Sequence, residues 1–317
     1  MIQDLLNATY NNRYFPEKTA DENSIIIYFK DKDVLCKAKG DFSILKNATP
    51  GKANSSELFW SLPTFKELSE KYTIAAEKLI YLFSMDGTDD TADSKQDFFL
   101  LKDDKPDIDV SPAPVSGNCC SGDFTYIEAV KFRSLKPLSL SFAIITAFQL
   151  YNWYNDNVYC GRCGGKLMLD RVERMLKCPD CSNMIYPKIS PGVIVGVMDK
   201  GRILLTKYAK KGYNRYALVA GFTEIGETLE ETAKREVMEE VGLKIKNIKF
   251  YKSQPWSPSS SLLAGFFAEV DGDDTITLEK DELKEATWFY PEEIVKMSEG
   301  VSLTEEMINA FADREVL

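Results

Sequence analysis

Residues 221–243 read GFTEIGETLEETAKREVMEEVGL and hold three glutamates, Glu236, Glu239 and Glu240, at i, i+3 and i+4. Side chains at that spacing share one helix face, here within roughly 100° of arc. The surrounding residues say that a helix is there to carry them. Thr228 and Glu231 form a T-x-x-E capping box at its start. Leu229, Ala233, Val237 and Val241 recur every four residues as a stripe for burial. Gly242 is placed to end the helix in the left-handed conformation. Like charges at this spacing destabilise a helix by about 0.2–0.5 kcal/mol per pair. Two readings follow. One is a solvated acidic face, the usual fate of a charge run. The other is a seat for a hard divalent cation, Mg²⁺ or Mn²⁺, whose preferred ligands are carboxylate oxygens. In the second reading a diphosphate substrate adds oxygens to the same cations, which polarise phosphorus and activate a water. Arg235 then orients a carboxylate or holds a phosphate oxygen. The chain has no histidine, so a general base falls to another group, and a glutamate is the natural one.

A second constellation is made of cysteine. Cys160-x-x-Cys163 and Cys178-x-x-Cys181 are separated by 14 residues, close to the spacing of a four-cysteine zinc site. They sit in YCGRCGG and KCPDCSN, where Gly, Pro and Asn permit the tight turns of a zinc ribbon. Two disulfides are the alternative, disfavoured in a cytosolic setting. Four thiolates leave no open position, so a zinc here is structural. Cys36 falls in a strand-like stretch and reads as a small buried apolar residue. Cys119 and Cys120 read as loop thiols without an assigned function.

A chain of 317 residues is expected to hold two or three domains, and 44% hydrophobic content is ample for their cores. The net charge of −10 argues against general binding to duplex DNA or anionic membranes, though not against a nucleotide held through metal ions. No apolar run approaches the ~20 residues of a membrane span. The start, MIQDLLNATYNNRYFPEK, lacks a basic stretch followed by an apolar one, so no signal peptide is expected, and DREVL carries no obvious sorting signal. The expectation is a cytoplasmic protein.

The elements that must position these residues fall into four regions. Residues 1–125 read as an α+β N-terminal domain, with strands in NSIIIYFKDKDVLCKAK and DFFLLK, and TIAAEKLIYLFSM open between helix and strand. Phe59, Trp60 and Phe65 read as core there. DGTDDTADSK and DDKPDIDVSPAPVSG read as exposed loops or linkers. Residues 126–158 read as a helical connector, YIEAVKFRSL then LSFAIITAFQLYNWYND, the latter apolar all round and therefore buried. The zinc ribbon is expected at 159–186. From 187 to 317, PGVIVGVM, GRILLTKY, RYALVAGF, residues 246–252, SLLAGFFAEV and ATWFY read as strands, flanked by the acidic helix and a terminal helix in TEEMINAFADREV. Mixed strands with helices on both faces predict an α/β/α sandwich.

The whole of 221–243 fits the pattern G-x5-E-x7-R-E-U-x-E-E-x-G-U, with U aliphatic, through Gly221, Glu227, Arg235, Glu236, Val237, Glu239, Glu240, Gly242 and Leu243. This is the Nudix box, and the chain resembles Nudix hydrolases, which use divalent metals to cleave a diphosphate joined to a nucleoside. The order of N-terminal domain, four-cysteine ribbon and box resembles the NADH pyrophosphatase family. YCGRCG, YPKISPGVIV, the box and SQPW at 253–256 carry that likeness, which is strongest from about Tyr159 to Trp288. The resemblance implies hydrolysis of NADH or NAD to nicotinamide mononucleotide and AMP, removal of NAD caps from the 5′ end of RNA, and a homodimer with composite active sites. It implies metal binding by Glu236, Glu239 and Glu240, with Glu282 reaching the metals from outside the box. It implies base stacking by Phe222, a second aromatic, Tyr186, near the dimer interface, and substrate contacts by Gln254 and Trp256. Tyr186 and Trp256 as core residues, and Glu282 as a surface charge, are the alternatives. The chain departs from the family's SQPWPFPxS motif: 253–261 read SQPWSPSSS, with Ser257, Pro258 and Ser259 in place of Pro, Phe and Pro, and Ser261 retained. That keeps open a Nudix hydrolase for another substrate such as ADP-ribose or FAD. A catalytically silent ribbon and Nudix binding protein is the reading from a different class, and the intact box carboxylates weigh against it.

Overall fold

The computed structural model describes residues 1–5, 8–39, 59–87, 95–102, 124–209, 215–297 and 300–316. Most of the acidic stretch at 86–95, the segment at 103–117, and Cys119 and Cys120 lie outside the described residues. The chain divides into two compact units, Ile2–Lys188 and Ile189–Leu317 together with Met1.

In the first unit, β1 (Thr9–Asn11), β2 (Ile25–Ile27), β3 (Phe29–Lys30), β4 (Asp33–Lys39), β5 (Phe59–Ser61), β6 (Leu79–Asp86), β7 (Lys95–Leu101) and β8 (Phe124–Glu128) form two sheets. One has the order β1-β6-β7-β2; the other has the order β3-β4-β5 with β8 also on β4. TIAAEKLIYLFSM resolves into a short 3₁₀ turn at Ala76–Lys78 followed by β6. YIEAVKFRSL is not helical throughout as expected. Its first residues belong to β8, paired from Asp33↔Glu128 to Lys37↔Phe124, and a 3₁₀ segment follows at Ala129–Ser134. Aromatic and β-branched residues in FTYIE suit a pleated surface, and pairing with β4 overrides the local helical pattern. The run expected to be buried on all sides is a long helix, Leu138–Asp156, with Phe142, Ile144, Ile145, Phe148, Trp153 and Tyr154 inside. Cys36 is fully buried, which pushes its thiol pKa up. Trp60 is buried, donates from Nε1 to the Lys136 carbonyl at 2.8 Å, and meets the Phe132 ring edge-on at 4.5 Å. Phe65 packs against a neighbouring apolar cluster, while the Phe59 side chain lies outside what is described.

The cysteine segment carries three short antiparallel strands, β9 (Met168–Leu169), β10 (Leu176–Lys177) and β11 (Met184–Ile185). Cys160, Leu167, Leu176 and Cys178 belong to the same apolar cluster as the long helix and both sheets. The ribbon therefore shares its core with the rest of the first unit.

The second unit contains β12 (Ser190–Asp199), β13 (Arg202–Tyr208), β14 (Val219–Phe222), the box helix (Leu229–Val241), β15 (Ile245–Trp256), β16 (Ser261–Val270), β17 (Leu283–Phe289) and a terminal helix (Leu303–Ala312). The sheet runs β15-β16-β12-β13-β17, with β14 also on β12. β12 and β16 are parallel and the other pairs antiparallel, so the sheet is mixed. Alternation along β12 explains the layers. Val193, Val195 and Val197 pack with Ala233, Val237 and Val241 of the box helix on one face. Ile194 on the other face packs with Leu303, Met307 and Phe311 of the terminal helix. Each of these Val, Ile, Leu, Met or Phe side chains, fully buried, contributes about 1.5–3 kcal/mol. The result is the expected α/β/α sandwich. The chain turns from β12 to β13 through Lys200 and Gly201, both at positive φ (49° and 76°), which suits a two-residue hairpin turn. Only Met198 and Asp199 of β12 pair with β13. The earlier residues Gly192–Val195 are left to pair with β14. That split sets Gly221 and Phe222 beside the first half of β12.

No helix among the described residues is long and apolar enough to cross a membrane.

Candidate active site

The box helix begins and ends as its sequence dictates. Thr228 accepts from the Glu231 N–H, Glu231 accepts from the Thr228 N–H at 2.8 Å, and Gly242 closes the helix at φ 70°. Its acidic face meets β14. An added Cβ on Gly221 would lie 1.9 Å from the Glu236 carboxyl carbon, so only glycine leaves room for that carboxylate against the strand. Glu240 is one turn further on and 3% exposed. Burial raises its pKa to about 8, repulsion from Glu236 and Glu282 adds to this, and a backbone hydrogen bond from Ala220 opposes it. Burial likewise raises Glu236, opposed by Arg235 and reinforced by Glu239 and Glu282. Glu239 is more than half exposed.

Arg235 organises this face. Its guanidinium grips Glu227 with two hydrogen bonds, Nε to Oε1 at 2.6 Å and a terminal nitrogen to Oε2 at 2.9 Å. The same terminal nitrogen donates to the Phe222 carbonyl at 2.9 Å. The other reaches Glu236 at 2.7 Å and Glu239 at 2.9 Å. The hydrogen bonds from Arg235 hold the Glu227 carboxyl down at about 2, with help from the Glu224 backbone and Thr232. Glu282, exposed just before β17, is anchored by its own carbonyl, which accepts from the Ala209 N–H at 2.9 Å. It is close enough to raise both Glu236 and Glu240. Glu236, Glu239 and Glu240 of the box helix and Glu282 from the segment before β17 thus lend negative charge to the same side of the sandwich, without converging as tightly as the four cysteines do.

The donor set fits a divalent cation. Glu240 Oε2 is buried and has no hydrogen-bond partner among the described residues, which is costly unless an electropositive group completes it. A cation of hard, oxygen-seeking character matches both that orphan atom and the clustered negative charge.

The cysteines converge more tightly. Their four sulfurs lie within 4.8 Å of one another, the one such set of metal-type ligands among the described residues. Cys160 and Cys181 are 3.6 Å apart and Cys163 and Cys178 3.4 Å apart. Bonded sulfurs would stand at about 2.05 Å. Zn–S bonds of ~2.3 Å in a tetrahedron put sulfurs ~3.8 Å apart, so the spacing suits zinc. The Arg162 N–H points at Cys160 Sγ at 3.4 Å and lowers that thiol, while, against the Gly165 backbone, the neighbouring sulfurs raise Cys163, so the protons are shared among the four.

The remaining residues singled out in the sequence are more scattered. Phe222 ends β14 with about half of its ring exposed, beside the acidic face. Trp256 ends β15, half-buried, opposite Ser261. Ser261 is buried, its hydroxyl 2.8 Å from that of Ser259. The departing segment Ser257–Ser259 forms a 3₁₀ turn closed by Ser260 at φ 52°. Gln254 is fully buried: its Nε2 donates to the Val301 carbonyl at 2.9 Å and its Oε1 accepts from the Leu303 N–H at 2.7 Å, at the start of the terminal helix. Tyr186 belongs to the first unit, about half exposed, and donates to Glu173 at 2.6 Å. Sequence reasoning missed the parts played by Glu227 and Gly221. Glu227 lies in the loop before the helix, where no periodicity aims it at Arg235. A glycine inside a strand, in contrast, is a readable sign of close approach.

Comparison with known proteins finds a domain match that spans the site. Residues 188–311 match the NUDIX domain. Over 141 residues the chain is 40% identical to the NAD-capped RNA hydrolase NudC of Escherichia coli O9:H4 (strain HS), covering 44% of this chain and 54% of that protein. The NAD-capped RNA hydrolase NudC of Escherichia fergusonii matches to the same extent. The chain thus spans about half the length of the curated relatives it matches. Among solved structures, the crystal structure of a NUDIX hydrolase from Nitrosomonas europaea shares 24% identity over 50% of this chain and 92% of that one, with a TM-score of 0.42.

Proposed function

We propose that the NUDIX domain at residues 188–311 hydrolyses the diphosphate of NAD or NADH to nicotinamide mononucleotide and AMP, and removes NAD caps from RNA by the same chemistry. The observation that carries this is the buried, unpartnered Glu240 oxygen on the side of the sandwich that also carries Glu236, Glu239 and Glu282, in a chain 40% identical over 141 residues to NAD-capped RNA hydrolases. Glu236, Glu239, Glu240 and Glu282 would hold Mg²⁺ or Mn²⁺, which supplies charge to the phosphate oxygens and an activated water when bound. The chain's own residues do the rest. Arg235 fixes the directions of Glu236 and Glu239, and Glu227 fixes Arg235. Gly221 admits the Glu236 carboxylate. Phe222 offers its exposed face to a base, with Trp256 and Ser261 flanking the substrate. Gln254 acts from within the core, tying β15 to the terminal helix. A carboxylate takes the proton from the attacking water, since no histidine exists to do so. The same reading includes a structural zinc on Cys160, Cys163, Cys178 and Cys181, a cytoplasmic homodimer, and Tyr186 near the dimer interface.

The test is product release from NADH, NAD, NAD-capped RNA, ADP-ribose and FAD under Mg²⁺ and Mn²⁺. AMP and the matching mononucleotide from NADH or NAD are expected. Rapid turnover of another substrate with NADH and NAD untouched would leave only the Nudix class. The small polar turn Ser257–Ser259, where the family motif has Pro, Phe and Pro, favours broader acceptance of ADP-ribose-like compounds as a second reading.

A further inference from the structure

The second unit also holds a cavity of about 700 Å³ at the end of the sheet away from the acidic cluster. Gly192, paired with Phe222 beside the cluster, and Met198, which lines the cavity, are six residues apart on β12, or roughly 20 Å at 3.3 Å per residue. The cavity opens where β15 twice departs from regular pairing. Its ladder to β16 shifts between Lys246 and Lys249 and again between Phe250 and Lys252, and Asn247 takes φ 52°. Bulges bend a strand and re-aim its side chains, and they recur beside functional sites.

The lining is aromatic: Phe250 presents an exposed ring, Tyr251 is half-buried, and Phe267 lies in the core at 5% exposure. Phe267 stands opposite Gly196, where an added Cβ would lie 2.7 Å from the ring, so the glycine is what lets the ring settle there. Tyr251 meets Phe267 edge-on at 5.3 Å. The rim mixes Lys200, Lys246 and Lys249 with Asp199 and Glu269, and Lys200 is held between Asp199 at 3.4 Å and Asp274 at 3.0 Å. Its acids are already engaged: Asp199 accepts from Arg202 at 2.8 Å and Glu269 from the Asn247 amide at 2.9 Å. Lys246 and Lys200 make exposed ion pairs with Asp271 and Asp274, contacts of little strength in water. Lys249 is exposed and has no ion pair or hydrogen bond among the described side chains. Lys249 is therefore the rim cation left to meet a ligand's charge, next to the exposed ring of Phe250.

We propose that this cavity is a second, non-catalytic site for a nucleoside monophosphate, with the phosphate on Lys249 and Lys246 and the base against the exposed ring of Phe250 and the half-buried Tyr251. The volume falls within the roughly 300–1,000 Å³ of small-molecule sites. A bare anion would leave the aromatic lining unused, and an uncharged nucleoside would leave Lys249 unused. The proposal does not depend on which diphosphate the acidic cluster cleaves.

Photolabelling of the zinc-loaded chain with 8-azido-AMP, without added Mg²⁺ or Mn²⁺ and without chelator, followed by peptide mapping, tests it. Label is expected in the 246–251 stretch, displaced by AMP but not by adenosine or inorganic phosphate at the same concentration. Lys249→Glu should weaken AMP competition there about 10-fold or more, as expected for the loss of one charge-assisted contact. Glu240→Gln should leave this label in place. Lys249 is exposed, so its variants should keep the wild-type thermal midpoint, which separates lost binding from lost folding. Label confined to the residues around Phe222, or label at 246–251 that Lys249→Glu does not weaken, overturns the site. Competition by adenosine or by phosphate as strong as that by AMP overturns the ligand class.

Discussion

Replacing Glu240 by glutamine should abolish the proposed hydrolysis and stabilise the metal-free protein at the same time. The buried carboxyl has an ordinary pKa of 4.5 and is raised to about 8 in the folded protein. At pH 7 the unfolded chain therefore ionises Glu240 freely while the folded one does not. The interval from 4.5 to 7, at about 1.36 kcal/mol per unit, corresponds to roughly 3 kcal/mol of lost stability. The sign follows from the raised value. Below pH 4.5 both states are protonated and nothing is lost; stability then falls as pH rises towards about 8. Glutamine keeps the volume and the acceptor for the Ala220 backbone. Its amide occupies the corner where the protonated acid already leaves an unpartnered group, so it adds no new kind of orphan. At roughly 2–4 °C per kcal/mol, the metal-free variant should melt about 6–12 °C above wild type at pH 7–8 and level with it near pH 4. Saturating Mg²⁺ or Mn²⁺ should raise the wild-type midpoint and move that of the variant much less. Turnover should fall about 10²-fold or more. Scanning fluorimetry across pH, with and without metal, and steady-state hydrolysis provide the readings. A variant less stable than wild type at pH 8 without metal, or equal metal-induced shifts in both, refutes the account of Glu240. Near wild-type turnover refutes its role.

Gly221→Ala should lower turnover by about 10²-fold with the fold retained, because the new methyl occupies the place of the Glu236 carboxylate; kcat alongside circular dichroism checks it. Elemental analysis should find one zinc per chain, absent when Cys160 and Cys178 are both changed to Ser, and chelation should loosen the first unit because these two cysteines share its core. Zinc-free protein with disulfides at the four positions would contradict this. Restoring Pro, Phe and Pro at 257–259 should raise the preference in kcat/KM for NADH over ADP-ribose; an unchanged ratio would show that the turn does not set specificity.

The box helix was legible because every signal for it is local: the Thr228–Glu231 cap, the aliphatic stripe and Gly242 act within a few residues of one another. The ribbon was legible for the same reason, through the spacing of its cysteines. What depends on distant partners was not. β8 reads as helix until β4 is there to pair with it. Glu282 looks like any surface charge until the start of β17 brings it near Glu236 and Glu240. Gln254, expected as a substrate contact, is instead an internal tie, which only the backbone of Val301 and Leu303 reveals. Glu227 is similar, since nothing in its spacing announces that Arg235 folds back over it.

The two bulges in β15 also bear on how the protein behaves at high concentration. β15 is the outer strand of its sheet, and a long, flat outer strand is a template on which another chain can add itself and begin to aggregate. Here the hydrogen-bonding edge is broken twice, lysines stand at 246, 249 and 252, and Pro255 withholds an N–H near the end. Straightening the strand by deleting one residue at a bulge should make the protein precipitate before it unfolds, an outcome that light scattering during a thermal ramp would register.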